Sequence, residues 1–496
     1  MHYQKSNDIM EQNVQYIQTE FRRLVTQAVK EGLERIKPFV GDKYKLHTYF
    51  NWPTMSLSEN GLPSFSETLF SGPINYTTAF GGKDSAVPHD SLESFQGLVS
   101  FADAHEYIKK RLLHPNMVKS REGDPNFNNW VMDYLKFMVH NIPEEIIDRY
   151  IHVNKSCDFS EESFTLIYEP LARCLFDEEL FLDICIPILF LKFDFDQVEL
   201  SPNTRLERMS DEFQLARAPL SAYGPGVHKS VLPAATHMLV LKNWHIKNHS
   251  VWLLSELVSD ITAYPLDHID NFFAALRIVT NFSTGYAQVL MRPRGWTHHY
   301  KTHLPPLEGT SIKAYPSSFE NYYWLNKDIP IVNEEIAQEV GAIFLRLLDI
   351  IENSVHIAAR RLNLCFLRDD DIDSILDATI GLEALLSDDN RQEMTHKLAM
   401  RVGALIKLAK SPQKSPYEVF QDVKKIYGYR SAVVHGSTDA HKRREIVSSD
   451  NRRIPVTPLA VDYLRMALHA LIEYPQYRQP AKIDEELLLN NGLGQP

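Results

Sequence analysis

Residues 416–436 read PYEVFQDVKKIYGYRSAVVHG, and the spacing of their apolar positions decides how the last third of the chain is read. At about 100° per residue, Phe420, Val423, Tyr427 and Val434 fall within roughly 60° of one another, so the stretch is expected to be a helix with one buried stripe. Gly436 is a suitable breaker, so the helix should run from Pro416 to His435. Arg430 lands inside the stripe, about 20° from Val423, and His435 lands on its flank in the last turn, about 120° away. A guanidinium aimed at an apolar face is costly unless it is paired or used.

Working outward, a partner for Arg430 stands in the helix expected over Asp371 to Leu386. There Ile372, Ile375, Leu376, Thr379 and Leu386 form the apolar stripe, and Glu383 lies in its middle, about 20° from Ile372. Two helices of one bundle thus each carry a charge on the inward face, of opposite sign. Two readings stay open: Glu383 holds the guanidinium in a working orientation, or the pair is structural only and His435 is an ordinary helix-end histidine.

Further helices flank these two. Asn333 can cap a long helix with Glu334 and Glu335 in its first turn, running to about Leu364. Others are expected over Asp389–Lys410 and Pro458–Tyr474. Five consecutive helices imply an all-α bundle over residues 331–479, with 480–496 as a C-terminal tail. Before the bundle, Pro305, Pro306, Pro316 and Pro330 mark a boundary or linker. Residues 1–325 read as a mixed α/β or α+β region. Helical patterns cover Asp8–Ile36, Asn128–Val139 and, broken near Pro265, Val251–Val279. Strand-and-turn composition covers Lys45–Ala104, and strands are expected at Phe190–Glu199 and Met238–Trp244. The fold class is therefore mixed, an N-terminal α/β or α+β region followed by a helical bundle.

A length of 496 residues suggests two or three domains. The most apolar stretch, Leu180–Phe193, is too short for a bilayer span and holds Asp183 and Pro187, so a buried strand fits it and no membrane association is expected. Cys157, Cys174, Cys185 and Cys365 form no CxxC pair, which points to reduced thiols in a cytoplasmic protein. The net charge of -12 argues against broad coating of nucleic acid, while leaving room for a small basic cleft. Such a cleft has candidates in Lys442, Arg443, Arg444, Arg452 and Arg453, which follow the motif helix and can grip phosphates. Asp439, Glu445 and Asp450 are interspersed, so a solvated charged loop is the equal alternative.

The run Arg430-Ser-Ala-Val-Val-His435 has the R-x4-H spacing of the HEPN superfamily, helical domains of many RNA-cutting toxins and defence nucleases. Together with DATIGLEALLSDDN (377–390), HKLAMRVGALI (396–406) and KKIYGYRSAVVHGS (424–437), it resembles the ApeA-like HEPN group over residues 371–437. The resemblance implies a metal-independent endoribonuclease of bacterial anti-phage, abortive-infection defence that needs no cofactor and cuts cellular RNA. It implies a homodimer or higher homo-oligomer, with Arg430 and His435 of both subunits lining one groove. It also implies an N-terminal region that senses or regulates, with a phage-derived trigger as one candidate. Ser431 takes the position after the arginine, where the family often has Asn, Asp or His, and is a supporting residue on this reading. The family's tyrosine two residues after the histidine is Ser437 here, so adenylylation of such a tyrosine has no acceptor. The alternative is a non-catalytic HEPN module for RNA binding or dimerisation.

The residue types suit such chemistry. RNA carries its own nucleophile, the 2'-hydroxyl. Cleavage then needs a proton-transfer group that works near neutral pH, for which histidine is the natural choice. It also needs a cation on the phosphorane-like transition state, and arginine presents a rigid fork matched to phosphate oxygens.

Other motifs carry less. Met291–His303 mixes cations, aromatics and histidines; contact with a nucleotide or phage ligand through stacking and charge is one reading, and a turn ending a strand with nothing bound is the preferred one. His299 and His303 are four apart, but Pro305 and Pro306 oppose a helix there, so no metal site is expected. Tyr223-Gly-Pro-Gly226 and Gly81-Gly82-Lys83 lack the context of a phosphate loop.

Overall fold

The computed structural model describes residues 2–42, 44–69, 72–113, 124–219, 226–321, 328–388, 393–408, 414–447 and 451–489. The architecture is mixed, with many helices around one six-stranded antiparallel sheet. The helices used below are α1 (His2–Ile36), α2 (Phe127–Asn154), α3 (Glu161–Phe176), α4 (Leu266–Thr280), α5 (Glu334–Asp349), α6 (Asn353–Leu367), α7 (Asp371–Leu386), α8 (Met394–Leu405), α9 (Pro416–Val434) and α10 (Val456–Glu473). The sheet contains β1 (Glu179–Pro187), β2 (Gln197–Ser201), β3 (Thr204–Arg208), β4 (His237–Lys247), β5 (Tyr286–Pro293) and β6 (Glu308–Ala314), in the order β6-β5-β1-β4-β3-β2.

The central strand β1 explains the apolar run at 180–193. Leu182, Ile184 and Ile186 join the large helical core, while Cys185 belongs to a smaller core on the opposite face, with Met238, Val240 and Leu290. A strand buried on both faces has no polar alternation to show. The strand expected at Phe190–Glu199 is split: Phe190 adopts a positive φ of 58°, Lys192–Phe193 pairs in parallel with Ile331–Val332, and β2 starts only at Gln197.

Several boundaries differ from the expectations. The helix expected at Asn128–Val139 continues to Asn154, through a buried Pro143. The proline-marked stretch before the bundle is not only a linker: Glu308–Ala314 is a sheet strand, and Pro305 and Pro306 stand just before it, where a missing N–H costs no ladder bond. Residues 322–327, where the N-terminal region was expected to end, lie outside the described residues. The long helix expected from Asn333 is two. The Asn333 side chain does accept from the Ile336 N–H at 2.8 Å, but α5 ends at Asp349. Ile350 turns extended, and two adjacent β-branched isoleucines favour the break. The helix expected over Asp389–Lys410 is described as α8, with residues 389–392 and 409–413 outside the described residues.

The expected C-terminal tail is also corrected over its described part. Residues 480–489 are helical, with Ile483 and Leu487 buried. Their anchor is Arg401 of α8, itself only 3% exposed, which donates to Asp484 at 2.6 and 3.0 Å, to Asp388 at 2.9 Å and to the Leu386 carbonyl at 2.6 Å.

Sheet region and helical bundle share one continuous core. Helix α4 packs on α5, α6 and α10. Its buried Arg277 donates to Asn363 at 2.5 Å and to the Thr284 carbonyl at 2.7 Å, and Asn363 donates to the Asp270 carbonyl. The four cysteines are buried and unpaired. No helix among the described residues is long and apolar enough to cross a membrane.

Candidate active site

Helix α9 begins with a capping box. The Ser415 side chain accepts from the Glu418 N–H, and Glu418 accepts from the Ser415 N–H. It ends in a Schellman motif. Gly436 has a φ of +62°, its N–H donates to the Val433 carbonyl at 3.1 Å, and the Ser437 N–H donates to the Ala432 carbonyl at 2.8 Å. His435 is the residue between helix and turn, and its N–H donates to the Ser431 carbonyl at 3.1 Å. The backbone therefore holds His435 firmly while its side chain is exposed; among the described residues the imidazole makes no hydrogen bond.

The buried face of α9 is Val419, Asp422, Val423, Ile426, Tyr427, Tyr429 and Ala432. It is rotated from the expected stripe: Phe420 is half-buried and Val434 is 51% exposed. Asp422 is satisfied inside by Lys414 at 2.5 Å and the Tyr463 hydroxyl at 2.7 Å.

Arg430 sits at the margin of this face. Its Nη2 lies 3.9 Å from Oε1 of Glu383 on α7, and the two side chains are 34% and 25% exposed. Its Nε is buried and has no hydrogen-bond partner. The structure thus brings Arg430 and Glu383 together, but as a loose contact rather than a forked ion pair. Tyr427 lines the same spot. Burial, and then the Glu383 carboxylate, push its ionisation well above the ordinary value, so it stays a neutral hydroxyl. Ser431 is exposed and is not drawn into this cluster.

The five basic candidates follow on a short 3-10 turn and a hairpin, Glu445–Val447 paired with Arg453–Pro455. All five are exposed. Arg443 donates to the Gly428 carbonyl at 3.1 Å, which ties the turn back onto α9. Lys442 pairs with Asp439 at 2.7 Å and Arg453 with Glu445 at 3.3 Å. The turn therefore stands next to the motif helix, with its acidic neighbours already engaging part of its charge.

Reading the sequence along single helices missed the buried carboxylate Asp377, which faces two arginines, Arg361 at 2.6 Å and Arg368 at 3.1 Å. It also missed Arg401, although that residue lies within the quoted run 396–406. Their signal was present only as a polar residue on an apolar face, the same signal that marked Arg430. Comparison with family models, with curated proteins and with solved structures gives no match for this chain.

Proposed function

We propose that the chain is a metal-independent endoribonuclease of the HEPN R-x4-H type, acting in bacterial anti-phage defence by cutting cellular RNA. The observation that carries this reading is the pairing of two unlike environments on one helix end. Arg430 has a guanidinium only loosely engaged by Glu383, and His435 has an exposed imidazole, without a hydrogen bond among the described residues, on a rigid cap. The first suits charge stabilisation and the second proton transfer.

The two residues stand about 7.5 Å apart along an ideal helix and about 140° apart around it. That spacing favours a composite groove supplied by two copies of α9 facing each other over one copy converging both side chains on one phosphate. The exposed Val434 beside His435 suits such a contact. Lys442, Arg443, Arg444, Arg452 and Arg453 would flank the groove and hold the RNA backbone. The N-terminal region would sense the trigger, a phage-derived component on this reading.

Purified full-length protein should cleave RNA without added Mg2+ and leave 2',3'-cyclic phosphate ends, because the substrate supplies the nucleophile. It should behave as a dimer or larger assembly in light scattering. Strictly Mg2+-dependent cleavage, or activity from a strict monomer, contradicts the proposal.

A further inference from the structure

The turn after β5 carries Trp296, Thr297, His298, His299 and Tyr300, and β6 opens with Glu308. The fold brings three donor side chains of this region to one point. Nδ1 of His299 lies 3.3 Å and Nδ1 of His298 lies 3.9 Å from Oε1 of Glu308. One ligand atom from each of the three lies within 4.8 Å of the other two. We propose that His298, His299 and Glu308 form a binding site for a divalent transition-metal ion, with Zn2+ as its occupant.

The donor set carries the choice of ion. Two imidazoles and one carboxylate suit zinc, and leave a fourth position for water. Tetrahedral zinc at ~2.0–2.1 Å from each ligand places the ligand atoms ~3.4 Å apart. The His299–Glu308 separation already meets that, and binding would draw His298 inward from 3.9 Å to Glu308. Without an ion, His299 pairs closely with Glu308 while His298 reaches it only at 3.9 Å, too long for a hydrogen bond. A cation uses all three. The side chains are partly exposed, so an ion can enter.

The surrounding structure holds the ligands in place. Trp296 Nε1 donates to the Phe181 carbonyl at 2.6 Å, and the Thr297 N–H donates to the Pro170 carbonyl at 2.9 Å. The Thr297 hydroxyl donates to the His299 carbonyl at 2.6 Å. The Tyr300 hydroxyl donates to the Ile167 carbonyl at 2.9 Å, and its N–H to Glu145 of α2 at 3.3 Å. The Arg149 guanidinium lies 4.7 Å from the Tyr300 ring and donates to the carbonyls of Thr302 and Leu304. A turn fastened to two helices and a strand presents its ligands with little ordering left to do. Glu145 adds a second carboxylate close enough to His299 for their charges to interact. The site shares no residue with Arg430 and His435, and stands or falls apart from the ribonuclease proposal.

The test uses full-length protein stripped with a chelator, desalted, and titrated with ZnCl2 by calorimetry, with Co2+ as an optical probe. One equivalent of zinc should bind, and Co2+ should give the strong visible bands of a tetrahedral site. His298→Ala, His299→Ala and Glu308→Gln should each weaken zinc binding by at least ~100-fold, while His303→Ala binds as the wild type does. Circular dichroism checks that each variant folds. If Glu308→Gln does not, the two histidine variants, in a partly exposed turn, decide the question. Absence of stoichiometric zinc binding by the folded wild type, or unchanged binding in the histidine variants, overturns the assignment.

Discussion

Arg430 of α9 and Glu383 of α7 face each other across the bundle with 3.9 Å between Nη2 and Oε1, outside hydrogen-bond range. A fully buried pair would cost ~3–5 kcal/mol to break by removing one partner. This one is only partly buried, at 34% and 25% exposure, and its long contact places it nearer the surface pairs, worth about 0–1 kcal/mol. Glu383→Ala should therefore lower unfolding stability by no more than ~1 kcal/mol in urea denaturation. A loss of several kcal/mol would show that the pair carries the fold and weaken the case for a working Arg430.

Gly436 sets where His435 points. Its φ of +62° is unfavourable for any residue with a Cβ, although a Cβ there would meet no neighbour within 4 Å. Gly436→Ala should thus cost about 1 kcal/mol through backbone strain alone. Because the strain falls on the residue after His435, RNA cleavage should drop more than stability does. Thermal melts beside cleavage assays separate the two. Unchanged cleavage would mean that the cap geometry is irrelevant to the site.

Arg401 is the opposite case to Arg430. It is buried, and its two acidic partners hold residue 388, after α7, and residue 484, in the terminal helix, together. Arg401→Ala leaves that junction without its cation and should destabilise the protein by ~3–5 kcal/mol. Limited proteolysis should then cut near residue 480 first. A variant with near wild-type stability would show that the terminal helix is held by its apolar contacts alone.

The fully buried His237 gives a pH signature. Its Nε2 faces the Phe195 carbonyl at 2.6 Å, and burial is the main cause that holds its pKa down at about 4, against an ordinary 6.5. The unfolded chain takes up a proton on this residue at a higher pH than the folded chain does. The stability it contributes is therefore present above 6.5 and lost as pH falls toward about 4. His237→Gln should flatten that acid limb in denaturation curves collected across the range. An unchanged limb would assign the acid sensitivity to other groups.

The sequence made the helix ends most legible, because caps are local. Asn333 and Gly436 mark their ends by residue type alone, and the structure places both where those types demand. The rotation of α9 was less legible: a stripe chosen from apolar residues counted Val434, but three-dimensional packing leaves it outside and buries Asp422 instead. Helix α2 ran past its expected end because a buried neighbourhood can tolerate Pro143, which propensity alone disfavours. Contacts between distant segments left no periodic trace. Arg401 meets Asp484 across 83 residues. His299 meets Glu308 only because β6 returns beside the turn that follows β5, so the sequence suggested His303, four residues on, as the partner to weigh.

The central claim is that Arg430 and His435 cut RNA. The most direct measurement compares wild type, His435→Ala and Arg430→Lys, each shown to be folded by its melting temperature, in one RNA-cleavage assay without added Mg2+. His435→Ala should melt with the wild type, since its side chain is exposed and makes no hydrogen bond among the described residues, yet lose cleavage. Arg430→Lys keeps the charge but not the fork, and should cleave at least ~100-fold more slowly. Wild-type cleavage by either folded variant would contradict the site, and no cleavage by any of the three would leave a binding module in its place.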